Sequence, residues 1–421
     1  MSRSATIALA LFCLAGPAVH PAATAVGSGG PTVTEAWEAL SRGLQSVPLT
    51  GEKLVITTDA EGDLRVLTRR VAHASDGRNM HSTIKPRAEK GSFAWDDGIT
   101  IRTYDAQTGT MLIRRSLERR PSRTTAAWRL NLVKRSYNLV VEGVERVAGR
   151  KCLRLALDPY SRAGLTIRVW LDRATGAELR REEADPAGNS VHAEMFTSVS
   201  ILPPGRDPAV SCAMPRRARV ESLIGVRASS DLHELSRRAS FHVRVPAQAP
   251  AGFEFEQGTV ATVGGRKAAV LRYTNGLAAL TLVATPVPPR TMAAPEHRAR
   301  RIAAGHWRVD WSGPDMDVVV MGPCSPEELL GMMAGFDAAS ESAFVRRMAD
   351  ENEAAGRLIS SMRGSGRTRD TVHAILEIAR RSGKPVETVW AYVRAGHGWQ
   401  SAASRFGIPA SVIQGHLNGN R

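Results

Sequence analysis

The sequence predicts a mostly β, α+β protein: one large antiparallel meander of strands wrapped over helices, then a smaller α+β unit, then a helical end. Three observations lead there. Between Leu54 and Leu202, short β-branched runs recur with turn signals between them. Within that stretch Leu165, Ile167, Val169 and Leu171 alternate with Thr166, Arg168 and Trp170, the period of a strand covered on one face. After Ser325 the apolar residues change to helical spacing.

The chain opens with Arg3, an apolar run from Ile7 to Val19 broken by Gly16 and Pro17, and Ala23-Thr24-Ala25, which fits a small-x-small cleavage site. Residues 1–25 are therefore expected to be a cleavable signal peptide. The run is short for a membrane span, and no later segment approaches ~20 apolar residues. Phe12 before Cys13 argues against lipid attachment there. Export leaves Cys152, Cys212 and Cys324, far apart and without histidines at metal spacing. An oxidising compartment permits one disulfide among them, and spacing does not choose the pair.

The first domain is expected over 26–202. Val33, Trp37, Leu40 and Leu44 mark a helix over Thr32–Gln45. Strands follow at Leu54–Thr58, Leu64–Ala72, Ile99–Tyr104 and Met111–Arg114. A helix is expected around Thr124–Val133, and strands resume at Tyr137–Glu142, Cys152–Asp158, Leu165–Leu171, Glu178–Glu183 and Val191–Val199. Residues 203–237, with Pro203, Pro204, Pro208, Pro215 and the basic run Arg216–Arg219, read as a linker. A second α+β domain spans 238–336, with strands near Phe241–Val245, Thr259–Val263, Ala268–Tyr273, Ala278–Ala284, His306–Trp311 and Met316–Met321. Asn275-Gly276 signals a hairpin, and Ser325-Pro326-Glu327-Glu328 a capped helix. Residues 337–421 form a helical extension: a long helix over Asp337–Met362, then apolar stripes at Val372, Ile375, Leu376, Ala379 and at Val386, Val389, Trp390, Val393. Its end, Ser401–Leu417, has the shape of a helix-turn-helix. The second of those helices offers Gln414 and His416 but no Lys or Arg before Arg421, whereas a DNA reader needs basic side chains there. No nucleic-acid partner is expected. The extension reads as an interaction or spacer module, with Phe406, Ile408, Val412 and Ile413 as packing residues.

The chain carries a formal charge of +15, mostly arginine and spread along its length, which suits an acidic partner without identifying one. There is no G-x-S-x-G, H-E-x-x-H, Walker or G-x-G-x-x-G motif, and His233-Glu234 lacks the second histidine of a zinc pair. Trp95-Asp96-Asp97-Gly98 and the Asp315–Asp317 stretch read as turns, and Gly264-Gly265-Arg266-Lys267 as a hairpin tip. No catalytic, cofactor-binding or metal-ligating set is expected. The chain reads as a binding protein, not an enzyme.

One segment goes further. Tyr137-Asn138-Leu139, Val144 through Arg150, Leu153 through Asp158, Arg168 through Gly176 and Glu194-Met195-Phe196-Thr197 occur in an order that resembles the MucB/RseB family of periplasmic sigma-E regulators. Weaker echoes lie at Pro250-Ala251-Gly252-Phe253 and Tyr273 through Ala278. The resemblance covers roughly 33–336 and stops short of the extension. It implies a first domain similar to the LolA/LolB lipoprotein carriers, an open half-barrel with an apolar cavity. It further implies a periplasmic location, a membrane-bound anti-sigma factor as partner, and release in envelope stress when lipid, lipopolysaccharide or a mislocalised lipoprotein is sensed. Leu54, Ile56, Ile101, Leu139, Val141, Ile167 and Val169 are then expected to line the pocket for acyl chains. A periplasmic carrier of lipids or lipoproteins is the alternative function. The second domain separates the two readings, because a pure carrier has no use for it.

Overall fold

In the computed structural model, residues 30–421 are described except 118–121, 162–163, 204, 211–214, 216, 224, 247–248, 251, 289–295, 314, 335–355, 368 and 420–421. The expected signal peptide, Cys212 and most of the expected helix Asp337–Met362 lie outside the described residues. Among those described, no helix is long and apolar enough to cross a membrane.

Helix α1 (Val33–Gly43) starts where Thr32 accepts a hydrogen bond from the Glu35 amide (3.1 Å). Six strands follow: β1 (Leu49–Thr58), β2 (Leu64–His73), β3 (Asn79–Lys85), β4 (Phe93–Asp96), β5 (Thr100–Asp105) and β6 (Thr110–Arg115). Helix α2 (Arg123–Ser136), capped by Ser122, leads into β7 (Tyr137–Val147), β8 (Arg150–Pro159), β9 (Thr166–Asp172), β10 (Glu178–Ala184) and β11 (Ser190–Ile201). With β12 (Arg219–Leu223) they form one twelve-stranded sheet in the order β12-β6-β5-β4-β3-β2-β1-β11-β10-β9-β8-β7. Every pairing is antiparallel except β12 with β6, and the edge strands β12 and β7 do not pair, so the sheet stays open. The β7–β8 connection is a two-residue turn in which Ala148 and Gly149 both have positive φ (47° and 79°), the geometry that matches strand twist.

Both helices sit on one half of this sheet. Ala36, Ala39 and Leu40 of α1 and Val133 of α2 pack on Leu153, Leu155 and Leu157 of β8 and on Ile167, Val169 and Leu171 of β9. Among the described residues, the other half carries only the 3-10 turn Arg87–Glu89 and no α-helix.

The second sheet has six strands: β13 (Glu254–Val263), β14 (Arg266–Thr274), β15 (Ala279–Pro286), β16 (Glu296–Ala303), β17 (His306–Ser312) and β18 (Met316–Gly322), in the order β13-β14-β15-β18-β17-β16. Helices α3 (Leu232–Ala239) and α4 (Pro326–Ala334) contribute Leu235, Leu329, Met332 and Met333 to its core. Ser325 and Glu328 form the expected reciprocal cap: the Glu328 amide donates to Ser325 Oγ (3.1 Å) and the Ser325 amide to Glu328 Oε2 (3.2 Å). The chain ends in α5 (Gly356–Gly364), α6 (Arg369–Ser382), α7 (Val386–Arg394), α8 (Trp399–Arg405) and α9 (Ala410–Gly419). They share a core of Val372, Ile375, Ile378, Val389, Trp390 and Ile413.

Four differences from the sequence reading have physical causes. The segment read as a linker supplies β12 to the first sheet and the start of α3 to the second domain. Phe241–Val245 is not a strand: the Val243 amide donates to Ser236 Oγ of α3 (2.9 Å) and Arg244 pairs with Asp315, so this stretch runs under the helix. Strands β3, β4 and β16 were not expected. β16 has exposed residues from Glu296 through Arg301, so no apolar alternation announces it. Val412, expected in the helical core, is exposed on α9 while its neighbour Ile413 is buried.

Candidate functional site

The register from strand to strand defines the concave face. Val169, Arg181, Glu194, Val55 and Leu67 stand opposite one another across β9, β10, β11, β1 and β2. One row on lie Ile167, Glu183, His192, Thr57 and Arg65. The face therefore changes character along each row: apolar where α1 and α2 cover it, ionic where they do not. Lys53 Nζ lies 2.7 Å from Glu194 Oε2, and His192 Nε2 lies 3.7 Å from the same oxygen. Arg181 Nε bonds Glu183 at 2.7 Å, and its Nη1 lies 3.5 Å from Glu178.

These pairs satisfy the rule that buried charges must be matched. Burial opposes ionisation of Glu194, but Lys53 and His192 outweigh it and hold the carboxyl well below its ordinary range. Burial, with Lys53 and His73 adding repulsion, holds His81 well below the usual imidazole value, so it is neutral near pH 7. A hollow of ≈ 290 Å³ remains on this side. Leu44, Val47, Leu49 and Phe196 line it together with Lys53, Asp96, Glu178 and Glu194.

The seven residues expected to line an apolar pocket separate into three groups. Leu139, Ile167 and Val169 are buried and Val141 is half-buried, all packed in the core beneath α1 and α2. Leu54 and Ile56 lie on the opposite face. Leu54 shares its row with Met195 and Thr68, and Ile56 with Ala193 and Val66, so their expected place in the hollow is corrected. β1 is apolar on both faces, and its pairing with β11 shifts at Glu52/Lys53, turning Lys53, Val55 and Thr57 inward instead. Ile101 lies in the row of Asp96 and Arg114, half-buried. The ionic residues of the concave face were missed. Their signal was present as alternation: Arg181 and Glu183 on one strand, His192 and Glu194 on its neighbour.

Trp95 and Asp96 end β4, and the expected turn falls on Asp97–Ile99 between β4 and β5. Asp97 Oδ1 accepts from the Ile99 and Thr100 amides (2.9 and 2.7 Å), and Asp96 Oδ1 from the Gly98 amide (2.7 Å). Cys152 and Cys324 are buried free thiols, and burial pushes Cys152 up to about 11, far from a reactive thiolate. Among the described residues no group of three or more His, Cys, Asp or Glu is placed to hold a metal ion.

The second domain reaches this site through the β14–β15 hairpin. Its tip, Asn275-Gly276-Leu277, enters beside α2: Asn275 Nδ2 donates to the buried Tyr137 hydroxyl (2.9 Å), and Leu277 packs on the β7–β9 core. Arg181, from the ionic part of the concave face, donates to the Leu277 carbonyl (3.2 Å). Gly276 has φ +98°, and a Cβ there would lie 2.5 Å from the Arg129 carbonyl oxygen. Only glycine permits that approach. Beside it, the buried Glu256 of β13 accepts from Arg129 of α2 (2.9 Å) and Arg272 of β14 (2.7 Å). A second contact joins Ser161 Oγ to Glu328 Oε1 (2.6 Å), and a third packs Ala304 on Leu165 and Val191. One arginine thus pairs both with Glu178, which lines the hollow, and with the hairpin of the other domain.

The model of the MucB/RseB N-terminal domain matches residues 95–222, from the end of β4 to β12. Over these residues the chain is similar to the MucB/RseB family. No curated protein matches the chain. Among solved structures, the Pseudomonas aeruginosa MucA/MucB complex is similar at 16% identity and a TM-score of 0.47, covering 70% of this chain and 95% of that one. A crystal structure of MucB is similar at 15% and 0.45, covering 73% and 98%. A LolA superfamily protein from Nitrosomonas europaea is similar at 8% and 0.20, covering 70% and 96%. The MucB/RseB region ends on β12, the strand that the proline-rich stretch had hidden. It contains Tyr137 and Arg181, the two side chains that hold the hairpin tip.

Proposed function

We propose that this chain is a periplasmic regulator that grips the periplasmic part of a membrane-bound anti-sigma factor. In this reading the hollow of the first domain controls the grip through the hairpin of the second. The family match over 95–222 carries the proposal. What supports the coupling is Arg181: it pairs with Glu178 of the hollow's lining and donates to the Leu277 carbonyl, so a guest that draws Glu178 away redirects this guanidinium and loosens the hairpin.

The hollow itself narrows the ligand. Its apolar strands are filled by the chain's own helices, and the space that remains mixes Leu44, Leu49 and Phe196 with charged groups. That lining suits the headgroup end of an amphiphile, as in lipopolysaccharide or a lipoprotein, better than an acyl chain alone. It also disfavours the pure carrier, which needs an empty greasy cavity. Co-purification from an envelope extract tests the reading. A single-span anti-sigma protein should accompany the mature chain; recovery of lipoproteins alone would contradict it. A reporter fused after residue 421 should be active only when exported.

A further inference from the structure

We propose that the cleft where the two sheets meet the C-terminal helices is a binding site for an organic carboxylate carried on a flat apolar body. The cleft has a volume of ≈ 490 Å³, within the usual range for small-molecule sites. Its walls come from three parts of the chain: Trp128 from α2, Trp390 from α7 and Trp399 from α8. Three indoles around one cleft provide faces for a planar apolar group.

The charges in the cleft do not cancel. Arg135, Arg367 and Arg394 line it, against Glu254 and Asp370, leaving one positive charge. Glu254 is shared: Arg135 Nη2 approaches one oxygen at 2.5 Å and Arg367 Nη1 the other at 3.4 Å. Gln400 of α8 accepts from Arg135 Nη1 (2.9 Å). The Nε atoms of both Arg135 and Arg367 are buried and without a hydrogen-bond partner. Arg394, exposed at the cleft, is the third of these cations, and a carboxylate supplies two oxygens to a guanidinium edge.

The backbone is built to bring Arg367 there. Gly366 has φ +86°, and a Cβ on it would sit 2.4 Å from Phe255 Cδ1, so glycine alone lets the chain pass this close to β13. The Arg367 guanidinium then lies 5.8 Å from the Trp390 ring centroid, with its Nη2 donating to the Val393 carbonyl (3.1 Å). Because the occupant touches all three parts of the chain, its binding favours the docked arrangement of the helical extension. The site stands independently of the anti-sigma proposal.

Calorimetric titration of the mature chain with N-acetyltryptophan, its neutral amide and indole-3-acetate tests the site. Both acids should bind saturably, and the amide at least tenfold more weakly. Tighter binding of N-acetyltryptophan assigns the natural ligand to a peptide C-terminus, and tighter binding of indole-3-acetate to a free acid. Arg394→Ala, at an exposed position, should weaken the acids about fivefold or more, whereas Arg301→Ala on β16 should not. Absence of binding, equal binding of acid and amide, or equal losses in the two variants would overturn the proposal.

Discussion

Gly276→Ala tests the docking of the two domains at its tightest point. The new methyl meets two penalties. A Cβ in the left-handed region costs roughly 1–2 kcal/mol. Here it would also sit 2.5 Å from the Arg129 carbonyl and 2.7 Å from Val133 Cγ2, so the hairpin or α2 must move. Overpacking of this kind costs about 1–3 kcal/mol. Together the docked state should lose roughly 2–5 kcal/mol. At about 1.4 kcal/mol per tenfold, the undocked population rises between tens and thousands of times. Gly264→Ala is the matched control: also at a hairpin tip and at positive φ (57°), but with open space around it. It should cost only the backbone part. Limited proteolysis and small-angle scattering would read the outcome as faster cleavage and a larger radius of gyration for Gly276→Ala alone. Identical behaviour of the two variants would refute the docking of the hairpin against α2.

Further outcomes follow from the same structure. Leu155→Ala, in the core between β8 and α1, should destabilise the first domain by about 2–5 kcal/mol in chemical denaturation, since the helices already fill that space. Lys53→Met removes the nearest cation of Glu194 and should cost about 3–5 kcal/mol at pH 7, because a buried carboxylate loses its direct ion pair. In the parent protein the Glu194 carboxyl is depressed, so its contribution is complete above the unfolded value near 4.5 and fades as pH falls below it. In Lys53→Met the carboxyl is less depressed, so that acid-side loss should be smaller. His81 and His306 are both held below the usual imidazole value, His81 by burial, Lys53 and His73, and His306 chiefly by burial. The unfolded chain binds those protons first, so stability should fall as pH drops below about 6.5, by up to ~1.4 kcal/mol per pH unit for each histidine. His81→Gln should flatten that part of the profile measured by thermal melting.

Much of the fold was legible because alternation survives wherever one face of a strand meets a helix. Ile167, Val169 and Leu171 read correctly as a strand with one covered face, and Asn275-Gly276 as a hairpin. The hollow was not legible, for a definite reason. Leu54 and Ile56 are as apolar as Val55, and a register shift beside Lys53 decides which set turns inward. Pairwise neutralisation lets Lys53, Glu194, Arg181 and Glu183 occupy a face that hydrophobicity alone assigns to leucines and valines. The domain junction was hidden because its contacts are long-range: Tyr137 and Asn275, or Arg129 and Glu256, are neighbours only after both sheets have formed. The cleft at the C-terminal helices was hidden in the same way, since its cations and its tryptophans come from segments far apart in the chain.

The affinity of the chain for the periplasmic segment of the proposed anti-sigma partner, compared between Gly276→Ala and Gly264→Ala, tests most directly whether hairpin docking governs the proposed grip. Hairpin control of that grip predicts at least a tenfold change for Gly276→Ala and none for Gly264→Ala. Equal affinities in the two variants would contradict it.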